Sequence, residues 1–208
     1  PLPGLLLAGV DVTAPGIVIP FKAKGRKSRL SRVLTAAERR SFAETMLLDV
    51  LAAVRSAGLL STCSVVSSAH DVLSLAEESG ATGLAEPSDR GVNSAVRWAV
   101  GKLREVDEFM VVPADLPLLQ GQDIRNVLSL GSHVDRVISP SKSFDGTNLF
   151  LFSGKDAVTF SYDSNSFWNH LGGTARGGLS LAVYCGKGVL FDVDSVEDFR
   201  ALARVRIN

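Results

Sequence analysis

Cysteine and histidine are scarce in this chain of 208 residues. Cys63 and Cys185 stand apart with no CxxC pair, and the three histidines show no HExxH or comparable spacing. Both absences argue against a zinc site, and two isolated cysteines, each in an apolar strand-like run, predict reduced thiols in a cytoplasmic protein. Net charge is missing too, because 22 Lys and Arg balance 22 Asp and Glu. General nucleic-acid binders carry a net basic face, so nucleic acid is not an expected partner. The apolar opening PLPGLLLAG is too short to span a bilayer and has no basic segment before it, so no membrane partner is expected either. GxxxxGK[ST] and GxGxxG are both absent, which removes the Walker A loop and the dinucleotide fingerprint. No Ser/His/Asp triad can be assembled.

Against this neutral background the positive charge is concentrated. Lys22, Lys24, Arg26, Lys27, Arg29 and Arg32 place six cations in eleven positions, with no Asp or Glu between Asp11 and Glu38. The run follows a short apolar strand, Ile17 to Phe21, and precedes a long helix. A basic strand-loop-helix junction suits a polyanion, and a nucleoside triphosphate fits it better than a DNA backbone. Lys22, Lys27 and Arg29 are the candidate contacts to the β- and γ-phosphates.

Further strand-like runs lie at Leu59–Val66, Phe109–Val112, Val134–Ile138, Leu149–Phe152, Leu181–Tyr184 and Val189–Val193, and helical patterns separate most of them. This alternation predicts an α/β fold, a three-layer α/β/α sandwich around a mixed, mostly parallel sheet. The length suits one domain over residues 1–208, with residues 1–15 a candidate N-terminal extension. The longest helix begins at a capping box, Thr35 and Glu38, turns Phe42, Met46, Leu47, Val50, Leu51 and Val54 to one face, and ends at Gly58. Shorter helices are expected over Asp71–Ser79, Asn93–Glu105, Asp123–Leu130, Ser166–Leu171 and Val196–Ala203.

Triphosphates bring a metal, and carboxylates are available for it. Asp115 follows the strand Phe109–Val112 at the carboxyl edge, where open α/β sheets bind ligands. Asp192 and Asp194 are two apart on an expected extended run, so both leave one face and suit one Mg²⁺ ion. Asp194 is alternatively a cap for the last helix, with Glu197 three residues on. Gly91 and Asn93 open a helix where a turn and an amide suit a ribose or base. Gly146, Thr147 and Asn148 precede a strand and suit a small anion. Ser166 is placed to cap the helix that carries His170, a residue better read as a structural partner than as a base.

In this order, PFKAKGRKSRLS, Gly91-Val92-Asn93, PADLPLL, GTN, SFWNH and FDVDSVEDF closely resemble the 2-phospho-L-lactate guanylyltransferases, from about Ile17 to Leu202. The resemblance implies a nucleotide-diphospho-sugar transferase-like fold. It implies transfer of GMP from GTP to 2-phospho-L-lactate, phosphoenolpyruvate or 3-phosphoglycerate, with release of pyrophosphate, in biosynthesis of the deazaflavin coenzyme F-420. Carried onto this sequence, it makes Asp115, Asp192 and Asp194 the Mg²⁺ carboxylates and Asp115, Lys22 and Lys27 the catalytic groups. Lys22, Lys27, Arg29, Gly91 and Asn93 become nucleotide contacts, and Thr147 and Ser166 contacts to the acceptor. Where the family usually has Phe-Gly before SF, this chain has Tyr162-Asp163, which puts negative charge near the expected acceptor site. A sugar-phosphate or molybdopterin nucleotidyltransferase and a non-catalytic GTP-binding protein are the alternatives. A homodimer contact through the Asp145–Gly188 section is left open.

Overall fold

Residues 14–22, 27–154 and 158–207 are described by a computed structural model. The opening PLPGLLLAG and the loop cations Lys24 and Arg26 lie outside them. Among the described residues seven strands form one sheet: β1 (Gly16–Pro20), β2 (Cys63–Ser67), β3 (Thr82–Ala85), β4 (Glu108–Val111), β5 (Arg136–Pro140), β6 (Thr147–Ser153) and β7 (Leu181–Val183). Their order is β3-β2-β1-β4-β6-β5-β7. β6 runs antiparallel to β4 and β5, and every other pair is parallel.

The pleat divides the core in two. Ile17, Ile19, Met110, Leu149 and Leu151 point to one face, while Val18, Phe109, Val111, Phe150 and Phe152 point to the other. Helices α1 (Ala36–Ser56), α2 (His70–Glu78) and α4 (Gly121–Gly131) cover the first face. Helices α3 (Val92–Lys102) and α5 (Ser166–Arg176) cover the second, which gives the expected three layers. A last helix, α6 (Val196–Ile207), brings Leu202 and Phe199 against Met46 and Phe42 of α1.

α1 forms as its sequence dictates. Thr35 Oγ1 accepts from Glu38 N at 3.3 Å while Glu38 Oε2 accepts from Thr35 N at 2.7 Å, closing the capping box. Met46, Leu47, Val50, Leu51 and Val54 are buried, and Gly58 ends the segment at φ 80°, where a side chain would be strained.

Several expectations need correction. Val189–Val193 is not a strand; Val189 and Val193 are buried, but Val193 N donates to Asp115 O, so the run crosses the sheet edge rather than joining a ladder. Leu59–Val66 divides into a 3₁₀ turn, Leu60–Thr62, followed by β2. Strand β3 carried no strong pattern, being four residues, TGLA, with no fully buried position. α5 continues beyond Leu171 to Arg176 because Thr174 is buried and accepts from Arg136 Nη1. Cys63 is buried in β2, but Cys185 lies past β7 and is exposed. No described helix is long and apolar enough to cross a membrane.

Candidate active site

A cavity of about 710 Å³ opens at the carboxyl edge of β1 and β4, a volume suited to a nucleotide with a small second substrate. Lys22, Lys27, Arg29, Asp115, Thr147, Ser166, Asp192 and Asp194 all line it, although they are spread over 173 sequence positions. The topology explains the meeting. Parallel strands β1 and β4 release the basic loop and Asp115 at their carboxyl ends, and the reversed β6 presents Thr147 at its start on the same edge.

On one wall Lys27 holds the centre. It takes a left-handed backbone, φ 49°, just ahead of the 3₁₀ turn Ser28–Arg32, and its ammonium reaches Asp115 Oδ2 at 2.7 Å and Asp194 Oδ1 at 2.9 Å. Burial opposes charge on Lys27, but the two carboxylates outweigh it and hold its pKa above the ordinary lysine value. Arg29 reaches Asp194 Oδ2 at 3.4 Å from a largely exposed position. Lys22 is exposed on the cavity rim, and Arg32 is exposed outside the cavity.

Asp192, like the other two acids, is partly buried. Asn148 Nδ2 donates to it at 3.3 Å and to Val189 O at 2.8 Å. Burial raises its pKa; the Asn148 bond opposes that, and the charges of Asp115 and Asp194 add to it. Asp194 does not cap α6. Ser195 does, by exchanging bonds with Asp198, whose Oδ2 accepts from Ser195 N at 2.8 Å while Asp198 N donates to Ser195 Oγ at 3.1 Å. That leaves Asp194 directed at Lys27.

The chemistry of this donor set fits magnesium: three carboxylates on one wall, with excess negative charge felt at Asp192. Among the described residues no three acidic, His or Cys side chains stand close enough to hold an ion as they are, and the Lys27 ammonium lies between Asp115 and Asp194. An internal cation already neutralises the place where a metal would be held.

The opposite side of the cavity is hydroxyl-rich, and Asp145 and Asp163 line it as well. Ser166 is not a helix cap; Asn165 takes that position at φ 53°, without a side-chain bond, and Ser166 is the first helical residue. Its Oγ donates to Thr147 Oγ1 at 3.1 Å, and His170 Nδ1 lies 3.0 Å from the same oxygen. Ser166, His170 and Thr174 recur every four residues, so they share the buried face of α5. Burial and then the Arg136 charge lower the His170 pKa to about 4, so the ring is neutral near pH 7.

Of the segment Gly91-Val92-Asn93, Val92 lines the cavity and Gly91 and Asn93 do not. Gly91 precedes α3 at φ 88°, and a Cβ there would meet nothing within 4 Å. Asn93 ties down the departure from the family pattern: its Oδ1 accepts from Tyr162 N at 2.7 Å and its Nδ2 donates to Asp163 at 2.8 Å. Sequence reasoning read Asn148 as part of a small-anion turn and His170 as a structural partner, but found neither the bond of Asn148 to Asp192 nor the contact of His170 with Thr147. The four-residue spacing of Ser166 and His170 was the available signal for the latter; Asn148 had none beyond standing beside Thr147.

Comparison with known proteins agrees with the resemblance seen in the motifs. The chain is 37% identical over 191 residues to the phosphoenolpyruvate guanylyltransferase of Rubrobacter xylanophilus, covering 89% of this chain and 91% of that protein. It is 28% identical over 183 residues to the 2-phospho-L-lactate guanylyltransferase of Methanocaldococcus vulcanius, covering 88% and 81%. A solved structure from Desulfovibrio desulfuricans G20, provisionally described as a nucleotide-diphospho-sugar transferase, superposes with a TM-score of 0.71 at 16% identity, over 92% of this chain and 87% of that one, a likeness of fold. The family described as "Guanylyl transferase CofC like" matches residues 16–203, and the chain belongs to that family of nucleotidyltransferases.

Proposed function

We propose that this enzyme transfers GMP from GTP to a small phosphorylated carboxylic acid of the 2-phospho-L-lactate, phosphoenolpyruvate or 3-phosphoglycerate kind, releasing pyrophosphate. The product would serve coenzyme F-420 biosynthesis, as the family resemblance implies. One observation carries the reading: a single cavity has a cationic and carboxylate wall around Lys27 and Asp115 and a hydroxyl wall at Thr147 and Ser166. The first wall suits a triphosphate and its metal. The second suits a smaller anion.

The reaction needs no general base. The acceptor phosphate is already anionic near pH 7; its oxygen forms a bond to the α-phosphorus of GTP while the bond from that phosphorus to the bridging oxygen breaks, and pyrophosphate leaves with the electron pair. Lys22, Lys27 and Arg29 neutralise the charge that builds on the leaving group. Asp115, Asp192 and Asp194 would hold Mg²⁺, which supplies charge neutralisation of the phosphates when bound. Lys27 can then turn from two carboxylates to phosphate oxygens, an exchange that leaves neither group unpaired. Thr147 and Ser166 orient the acceptor for in-line attack.

The test is pyrophosphate release, measured with each of the four nucleoside triphosphates, Mg²⁺, and a panel of the three acids, a sugar phosphate and molybdopterin. Release with GTP and one of the acids supports the reading. Release only with a sugar phosphate or molybdopterin favours the related transferases. Saturable GTP binding with no release on any acceptor favours a GTP-binding protein without turnover. Homodimer formation belongs to the same proposal and is checked by light scattering, and a cytoplasmic location by cell fractionation.

A further inference from the structure

The acceptor wall contains three polar groups whose protons can be counted. Ser161 N donates to His170 Nε2 at 3.0 Å, so that nitrogen presents a lone pair. In a neutral imidazole the proton must then sit on Nδ1, and the contact of Nδ1 with Thr147 Oγ1 at 3.0 Å is donation from histidine to threonine. Thr147 and Ser166 share one further bond at 3.1 Å, which uses one of their two hydroxyl protons. One proton remains. Thr147, Ser166 and His170 are at most 5% exposed, yet both hydroxyl residues line the cavity, so that proton has the acceptor site to point into.

The other tautomer would give a different count. With the proton on Nε2, Nδ1 would take the Thr147 proton, Ser166 would donate to Thr147, and the cavity would be offered only lone pairs. Lone pairs repel a phosphate or carboxylate.

We propose that His170 is a positioning residue: by donating from Nδ1 to Thr147 it frees one hydroxyl proton of the Thr147–Ser166 pair to hydrogen-bond the anionic acceptor. The inference rests on the transferase reading and extends it to a residue that does not touch the substrate. The ring is kept in register by Phe150, stacked at 4.8 Å, and by Tyr162, edge-on at 4.8 Å. Donation into Thr147 also polarises its hydroxyl and strengthens the outward bond.

Two measurements on the full chain test this. In ¹⁵N-imidazole NMR at pH 7, with His170 assigned through the His170→Asn variant, Nδ1 should show the protonated, pyrrole-type shift and Nε2 the pyridine-type shift. The reverse pattern, or an imidazolium, overturns the proposal. In steady-state assays His170→Leu should raise KM for the acceptor about tenfold or more, the loss expected for a hydrogen bond to a charged group, with KM for GTP within about twofold of wild type. His170→Asn, whose amide N–H stands near the Nδ1 position, should recover most of the loss, and His170→Gln less. Unchanged acceptor KM in a folded Leu variant overturns the proposal, as does equal rescue by Asn and Gln. If wild-type protein released no pyrophosphate with any acceptor, the transferase reading would fall, while the NMR pattern would still judge the proton arrangement by itself.

Discussion

Asn93 donates its side-chain amide to Asp163 Oδ2 at 2.8 Å, joining the start of α3 to the loop before α5 across 70 positions of sequence. The residue expected to meet the nucleoside is therefore already engaged by the residue that departs from the family pattern.

Replacement of Asp163 by Ala removes this competitor while leaving the bond from Tyr162 N to Asn93 Oδ1 in place. A solvent-exposed bond of this kind contributes about 1 kcal/mol, so GTP should bind roughly fivefold more tightly to Asp163→Ala. Calorimetric titration checks it; weaker binding would show that the carboxylate assists the nucleoside instead.

Lys27→Met removes the cation between Asp115 and Asp194. Turnover should fall roughly a hundredfold or more, on the scale of losing one preorganised charge donor at a reacting phosphate. The unneutralised carboxylates should also make folding more dependent on divalent cation. Melting curves with and without Mg²⁺ should separate more widely for the variant than for the parent chain. Equal separation would argue against a metal at those acids.

Tyr162 carries a hydroxyl that is buried and has no hydrogen-bond partner among the described residues, and burial raises its pKa. Where the family usually has Phe, this chain keeps an unsatisfied polar atom. Tyr162→Phe should stabilise the protein by roughly 1 kcal/mol, read as a shift in urea midpoint at constant slope. The edge contact with His170 needs only the ring and should survive.

His170 contributes to the loss of stability in acid. Its pKa is depressed from the ordinary 6.5 to about 4, so between those values the unfolded chain binds a proton that the folded chain refuses. Its contribution is full above about pH 6.5, falls as pH drops, and is spent near pH 4, a loss of up to about 3 kcal/mol. Urea titrations at pH 7 and 4.5 should show the fall, and His170→Asn should flatten it.

The two thiols should separate cleanly under an alkylating reagent. Cys185 is exposed, whereas Cys63 is buried in β2 with its thiol pushed up to about 12. Intact-mass measurement should find one label on the native chain and two after denaturation.

How much of this was legible in sequence depended on whether the signal was local. The α1 capping box, its apolar face and the Gly58 stop are contained within 24 residues and were read correctly because each follows from nearest neighbours along the helix. Apolar runs also located six of the seven strands. The basic loop and Asp115 could be placed at one sheet edge because parallel strands put their carboxyl ends together. The bond from Lys27 to Asp194 spans 167 positions, and nothing in the loop's composition says which cation turns inward. Val189–Val193 has the composition of a strand, and only the tertiary bond from Val193 N to Asp115 O shows that it crosses the edge. The dual role of Asn93 was hidden for the same reason: its partners Tyr162 and Asp163 lie in a loop with no periodicity to read.

Strand β6 runs against β4 and β5, and this reversal brings two kinds of element to one cavity. The side with Lys27 and Asp115 hangs from the parallel half, whereas Thr147 sits at the exit of the β5–β6 hairpin, whose turn, Ser141 to Gly146, is braced by its own hydroxyls, with Ser141 Oγ donating to Asp145 at 2.9 Å and accepting from Gly146 N at 3.0 Å. The same turn is also tied outward, because Lys142 pairs with Asp198 of α6 and Asp145 O accepts from Phe167 N of α5 at 3.3 Å. Since α6 follows closely on Asp194 and α5 opens with Ser166, a change in this turn would be felt on both sides of the cavity.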